Sequence, residues 1–167
     1  MNHLAIYGGG SITLPPRYFG PVAYYALMAA YPSATIAEGL LYDKRQKGAH
    51  RCDIADTHGP VSLTAAVAKP HGLKNARWAD VELSAHGRWW HTHRVTLESA
   101  YGRTPFFEYY ADEILPLIDF AEGMPVTRLD RAADTALRAL LGIETEVTYS
   151  EEPLRADALD NQQAAGF

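Results

Sequence analysis

The stretch WWHTHRVTLESAYGRTPFFEYY, residues 89–110, decides the fold of this chain. Its apolar residues recur with helical spacing on both sides of Gly102, so the stretch predicts two helices joined by a tight turn. At about 100° per residue, six side chains of the first helix share one face. They are Trp89, Trp90, His93, Leu97, Ala100 and Tyr101. His93 therefore lies in the middle of a stripe where apolar residues are expected.

The residues at the break support a helical hairpin. Gly102 suits the left-handed position that ends a helix, Thr104 offers an N-cap oxygen, and Pro105 fits the first position of the next helix. The aromatic residues that follow are suited to lining a ligand pocket, since such pockets are mostly apolar with a few polar groups. We therefore expect the hairpin to form one wall of a site.

Length and composition indicate one soluble domain. The chain has 167 residues, of which 47% are hydrophobic and 21% charged, and this is enough to bury a core. A net charge of −5 argues against a nucleic-acid-binding protein or a basic membrane-surface protein. Residues 18–37 carry no charge, but Gly20, Pro21 and Pro32 interrupt them, so a buried helix is favoured over a membrane span. The N-terminus shows no secretory pattern, and we expect a cytoplasmic protein.

The remaining pattern favours an α+β domain. Strands and helices are partly segregated along the chain, which is typical of this class. We expect a single compact domain over residues 1–150, with a small mixed or antiparallel sheet on which the helical hairpin packs. Residues 151–167 form a polar tail that is expected to fray. The strands are predicted at 3–7, 35–37, 51–54, 61–68, 78–83 and 144–149, and the other helices at 22–31 and 128–141, the latter capped by Thr127 with Asp130 and ended by Gly142.

The sequence offers little for a metal site. His91 and His93 point about 160° apart on a helix, so they cannot bind one ion together. No CxxC or HExxH motif is present, and we predict neither a metal nor another cofactor.

Cys52 and His93 are the candidate pair for nucleophilic catalysis. A reactive thiolate needs a lowered pKa. Cys52 is predicted on a strand, where the adjacent Arg51 projects to the opposite face, so a buried structural cysteine is the favoured alternative. For His93 the alternative to proton transfer is a core histidine bonded to backbone or to a tyrosine hydroxyl. Arg45 and Arg51 would suit an anionic group, or would belong to a solvated loop.

Five stretches in one order resemble the WbqC-like protein family. They are YFGPV at 18–22 with the tyrosines that follow, RQ to RCDI at 45–54, GPVSLT at 59–64, WWHTH to SAY at 89–101, and PFFEYY at 105–110. The likeness covers about residues 14–150, and Leu141-Gly142-Ile143 also fits. The family usually has Lys in place of Arg45 and Asn in place of His50.

The resemblance implies a role in O-antigen or other surface-polysaccharide biosynthesis. One hypothesis is an acyl or aminoacyl transferase acting on a nucleotide-linked sugar, in which His93 is the general base and Tyr101 orients it. The resemblance and the residue chemistry together nominate a substrate-binding set. That set is Tyr18, Arg45, Arg51, Trp89 and Tyr110. A second hypothesis is a non-catalytic partner that binds a sugar or a protein, and a third is a thiol-dependent hydrolase or transferase using Cys52 and His93. The substrate is expected to be a small molecule, and the sequence leaves the oligomeric state open.

Overall fold

A computed structural model describes residues 10–68, 72, 74–155 and 159. The strand predicted at 3–7 lies outside the described residues. The strands are Ser11–Leu14 (β1), Ser33–Ala37 (β2), Arg51–Asp56 (β3), Gly59–Thr64 (β4), Val67–Ala68 (β5), Glu82–Leu83 (β6) and Glu146–Ser150 (β7). The α-helices are Val22–Ala29 (α1), Trp89–Tyr101 (α2), Phe107–Ile114 (α3) and Val126–Leu141 (α4). Short 3-10 turns lie at Lys47–Ala49, Trp78–Asp80, His86–Arg88 and Leu115–Ile118.

The strands of the described part of the chain form three separate sheets. The largest has the order β1-β2-β7 and is parallel throughout, with Ile12 opposite Ala34 and Ala34 opposite Val147. Helix α1 makes the crossover between β1 and β2, as parallel neighbours require. The pairs β3–β4 and β5–β6 are antiparallel ribbons. The α+β prediction is confirmed; the antiparallel pairing lies in the ribbons, while the three-stranded sheet is parallel.

The helical hairpin is present, but its turn differs from the prediction. Gly102 has a right-handed backbone with φ −58°, and its N–H donates to the carbonyl of Glu98. A side chain at this position would collide with that carbonyl, so lack of space rather than a positive φ selects glycine. Thr104 does not cap α3, because its hydroxyl donates to the carbonyl of Tyr101 and α3 begins only at Phe107.

The strand predicted at 78–83 is wrong. Trp78–Asp80 is a 3-10 turn, Val81 has an extended backbone, and only Glu82–Leu83 pair as a strand. The Asp80 carboxylate accepts a hydrogen bond from the backbone N–H of Arg77, and such a side-chain bond offers the backbone an alternative to a strand ladder.

Helix α4 begins earlier than predicted and ends as predicted. Pro125 occupies its N-cap, so Thr127 lies within the first turn and makes no cap. Asp130 is buried in the core instead of completing a capping box. Gly142 ends the helix with φ 65°, the left-handed conformation that glycine adopts without strain.

The chain after β7 packs against the domain as far as it is described. The N–H of Leu154 donates to the carbonyl of Gly39, and the backbone of Glu152 passes so close to Gly39 that a side chain there has no room. The fraying predicted for the tail concerns mostly residues outside the described part. Within the described part, every helix is too short or too polar to cross a bilayer.

Candidate functional site

An apolar cavity of about 250 Å³ lies between the helical hairpin and the β3–β4 ribbon. Its wall combines one face of the ribbon with the inner faces of α2 and α3. The lining residues are Phe19, Cys52, Ile54, Leu63, Leu97, Tyr101, Thr104, Phe106, Phe107, Tyr110, Ala111, Ile114 and Leu115. The hairpin therefore forms a wall of a cavity, which is the place the sequence predicted for a site.

Local periodicity explains which side chains reach the cavity. On β3, Cys52 and Ile54 are two residues apart and share a face, and Leu63 of β4 pairs directly with Cys52. On α3, the lining positions 107, 110, 111 and 114 follow the i, i+3, i+4, i+7 spacing of one helix face.

The turn before α1 contributes a strained residue. Phe19 lines the cavity and has φ 43°, a left-handed conformation that is rare for a bulky side chain. Its ring packs edge-on against Tyr18 at a centroid distance of 4.8 Å. Strain of this kind persists only where the surrounding structure enforces it, and it is frequent at ligand sites.

The polar groups of the cavity wall are few. The hydroxyl of Tyr101 accepts a hydrogen bond of 3.1 Å from the backbone N–H of Ala55. Burial raises the pKa of the Cys52 thiol to about 12, and the negative charges of Asp53 and Asp130 add to the shift. Cys52 is therefore a neutral thiol at physiological pH, and a thiol is a poor nucleophile in that form.

His93 is buried in the core and does not line the cavity. Its Nδ1 and the Tyr18 hydroxyl are joined by a hydrogen bond of 2.9 Å, and its ring centroid lies 5.1 Å from that of Trp89. Burial lowers the pKa of His93 to about 4, against the opposing effect of a backbone hydrogen bond with Thr64. The prediction that Tyr101 orients His93 is corrected here, because Tyr18 makes that contact.

The other predicted binding residues lie away from the cavity wall. Arg45 is exposed on a turn and pairs with Asp43. The Nε of Arg51 donates to the Thr64 hydroxyl at 2.8 Å, and the indole of Trp89 donates to the carbonyl of Ser84. Of the eight predicted site residues, the cavity brings together Cys52, Tyr101 and Tyr110.

A second buried region, between α4 and the parallel sheet, was not predicted. Glu38 follows β2 and is 1% exposed, and Arg131 of α4 binds its carboxylate through two hydrogen bonds. One turn along α4, Asp134 accepts hydrogen bonds from Arg138 and from the Tyr149 hydroxyl. We call this group the α4 polar network.

Asp130 belongs to the same region but has a different environment. Neither of its carboxylate oxygens has a hydrogen-bond partner among the described residues. Burial and the neighbouring Glu38 raise its pKa, while Arg17 opposes the shift. The sequence signal was available: Asp130 and Asp134 are four residues apart, next to Leu129 and Ala133 of the predicted apolar stripe.

Within residues 10–68, 72, 74–155 and 159, no three His, Cys, Asp or Glu side chains are grouped so that they could hold a metal ion.

Comparison with known proteins identifies a family. The family model described as the WbqC-like protein family matches residues 16–165 of the chain. No curated protein and no solved structure gives a significant match.

Proposed function

This chain belongs to the WbqC-like protein family, and from that premise we propose that it binds the acyl part of a small-molecule precursor in surface-polysaccharide biosynthesis. The apolar cavity beside the helical hairpin carries this proposal. The polysaccharide pathway is inferred from the family resemblance, whereas the acyl group is inferred from the chemistry of the cavity wall.

The cavity is of a size and polarity to hold an apolar group. An engineered cavity of about 150 Å³ lined by aliphatic and aromatic residues binds benzene, so about 250 Å³ is room for a short acyl chain or a larger ring. Each methylene transferred from water contributes about 0.8 kcal/mol. The strained Phe19 supports a wall that is held in place before a ligand enters.

The geometry favours binding over catalysis by the residues first nominated. A general base must reach the proton that it removes, and His93 is 2% exposed with its Nδ1 bonded to Tyr18. A thiol whose pKa is about 12 supplies almost no thiolate at neutral pH. We therefore rank the non-catalytic hypothesis above acyl transfer by His93 and above thiol chemistry at Cys52.

The proposal is tested with N-acylglucosamines whose acyl chains have two, four, six or eight carbons, by isothermal titration calorimetry. Affinity should rise about fourfold per added methylene and level off when the cavity is full. Ala111→Phe directs a ring into the cavity from α3 and should abolish this dependence on chain length.

The matched control is Ala132→Phe, an exposed position on α4 away from the cavity. It should bind like the unmodified protein, and circular dichroism verifies that both variants fold. Absence of saturable binding, or chain-length dependence that survives Ala111→Phe, would overturn the proposal. Product formed from an acyl donor and a nucleotide sugar, and lost in His93→Gln, would favour the transferase instead.

A further inference from the structure

Helix α3 turns a set of large aromatic side chains outward. Phe106, Tyr109 and Tyr110 are 66%, 79% and 45% exposed. Large exposed apolar groups that adjoin one another are typical of interaction sites. Tyr109 lies outside the cavity lining, so the cavity does not account for its position.

The same segment is strongly acidic. Residues 104–124 contain five carboxylates and no lysine, arginine or histidine. Asp119 pairs with Arg94, but Glu108, Asp112 and Glu113 are exposed and form no ion pair with any described residue. The nearest basic residue along the chain is Arg103, just before the segment. We call Phe106, Tyr109, Tyr110 and these three carboxylates the α3 surface.

The charge of the α3 surface decides which partners suit it. Nucleic acids and anionic membranes are repelled by unpaired carboxylates. An arginine can bind both the aromatic rings and the carboxylates of the α3 surface, because its guanidinium stacks on rings and binds carboxylates through two hydrogen bonds. The apolar area is best covered by aliphatic or aromatic side chains of the same partner.

We propose that the α3 surface binds an arginine-rich amphipathic segment of a partner protein. The carboxylates steer the basic face of that segment, and the exposed rings supply its apolar contacts. Phe106 and Tyr110 also line the cavity, whereas Tyr109, Glu108 and Asp112 do not, so changes at these three positions test this interaction separately from ligand binding in the cavity.

The probe is a fluorescein-labelled 15-residue amphipathic helix with leucine on one face and arginine on the other, measured by fluorescence anisotropy. A second peptide carries glutamate in place of every arginine. The arginine peptide should bind and the glutamate peptide should not. Raising the sodium chloride concentration from 20 to 300 mM should weaken binding about tenfold or more, since exposed charges are screened.

Variants locate the contact. Tyr109→Ala should weaken binding about tenfold, as for an aromatic anchor, and Glu108→Gln combined with Asp112→Asn about threefold. The controls are Val22→Ala and Glu144→Gln, which change an exposed apolar and an exposed acidic residue elsewhere and should bind as before.

Three results would overturn the proposal: no binding of the arginine peptide, equal binding of both peptides, or the same affinity in the α3 variants as in the controls. Acyl-chain binding in the cavity should be unchanged in Tyr109→Ala. A failure of this inference therefore leaves the cavity result intact, and the reverse also holds.

Discussion

The α4 polar network and the apolar cavity both lie inside the domain, but their ionisable side chains have different environments. In the network, the carboxylates of Glu38 and Asp134 are kept close to arginines and hydroxyls. In the cavity wall, the ionisable Cys52 is held neutral by burial. The first region attaches a helix to the sheet, whereas the second leaves room beside the hairpin.

The comparison shows that the buried carboxylates of the network do not line the cavity. A charged group taken out of water costs free energy unless a partner compensates it, and in the network Arg131 and Arg138 of α4 pair with Glu38 and Asp134. The cavity wall carries few polar groups that need partners, so a ligand would be bound there mainly through apolar contacts. We therefore propose the cavity, rather than the network, as the binding site.

The largest effect is expected when the network is broken at Arg131. Arg131→Ala leaves the carboxylate of Glu38 buried without its ion pair, because Glu38 is 1% exposed. Removing one partner of a buried ion pair typically lowers the free energy of unfolding by 3–5 kcal/mol. We expect about 3 kcal/mol here, because Arg131 is half-exposed and water can reach the Glu38 carboxylate once the arginine is removed. Urea unfolding at pH 7 measures the change.

The double variant Glu38→Gln with Arg131→Ala serves as the control for that experiment. It removes the unpaired charge and should recover more than half of the loss. If Arg131→Ala alone costs no more than an ordinary surface substitution, the network does not hold α4 to the sheet.

A smaller effect is expected from pH at His93, which lies in the core next to the cavity wall. The unfolded chain takes up a proton near pH 6.5, but the folded state resists protonation until about pH 4. Stability should therefore fall as pH decreases from 6.5 to 4, by roughly 1–2 kcal/mol at pH 5. Unfolding free energies at pH 5 and pH 7 give the slope.

His93→Gln should reduce that slope while leaving the fold intact. Part of the pH dependence should remain in this variant, because burial also lowers the pKa of His50. An equal slope in the variant and the unmodified protein would mean that His93 is protonated as easily in the folded state as in the unfolded chain.

The smallest of these effects concerns Cys52 in the cavity wall. Cys52→Ser places a hydroxyl among apolar neighbours, and an unpaired buried hydroxyl costs about 1 kcal/mol or more. Cys52→Ala avoids that cost but loses part of the packing. Both variants should still bind N-acylglucosamines, because the proposed function does not use the thiol.

Alkylation of the single cysteine by iodoacetamide provides an independent check. Intact mass should show slow modification of the folded protein at pH 6–8 and rapid modification once it is unfolded, since the pKa of the buried thiol is raised. Rapid modification of the folded protein at pH 6 would return Cys52 to the list of catalytic candidates.

Much of the architecture was readable from periodicity. The helical hairpin, strands near those of the β3–β4 ribbon, helix α1 and the end of α4 at Gly142 were all predicted, because each depends on local spacing or on a glycine conformation. The incorrect prediction at residues 78–83 also involves a local contact, since the backbone N–H of Arg77 donates a hydrogen bond to the Asp80 carboxylate in the turn that replaces the strand.

The side-chain contacts around the site were harder to predict from the sequence than the helices and strands. His93 was recognised as unusual from its place on an apolar face, but its partner Tyr18 is 75 residues away in sequence. No single-sequence pattern distinguishes Tyr18 from Tyr101 as that partner. The buried ion pair of Glu38 could not be predicted either, because its partner Arg131 is 93 residues away in sequence.

By itself, the sequence determined the family, the α+β class and a hairpin with a face rich in aromatic residues, because motif order and hydrophobic spacing are properties of neighbouring residues. Only the tertiary structure decided that Cys52, Tyr101 and Tyr110 meet around one cavity while Arg45, Arg51 and His93 do not. It also decided the ionisation of Cys52 and His93, because a pKa depends on the burial and charges that distant segments impose.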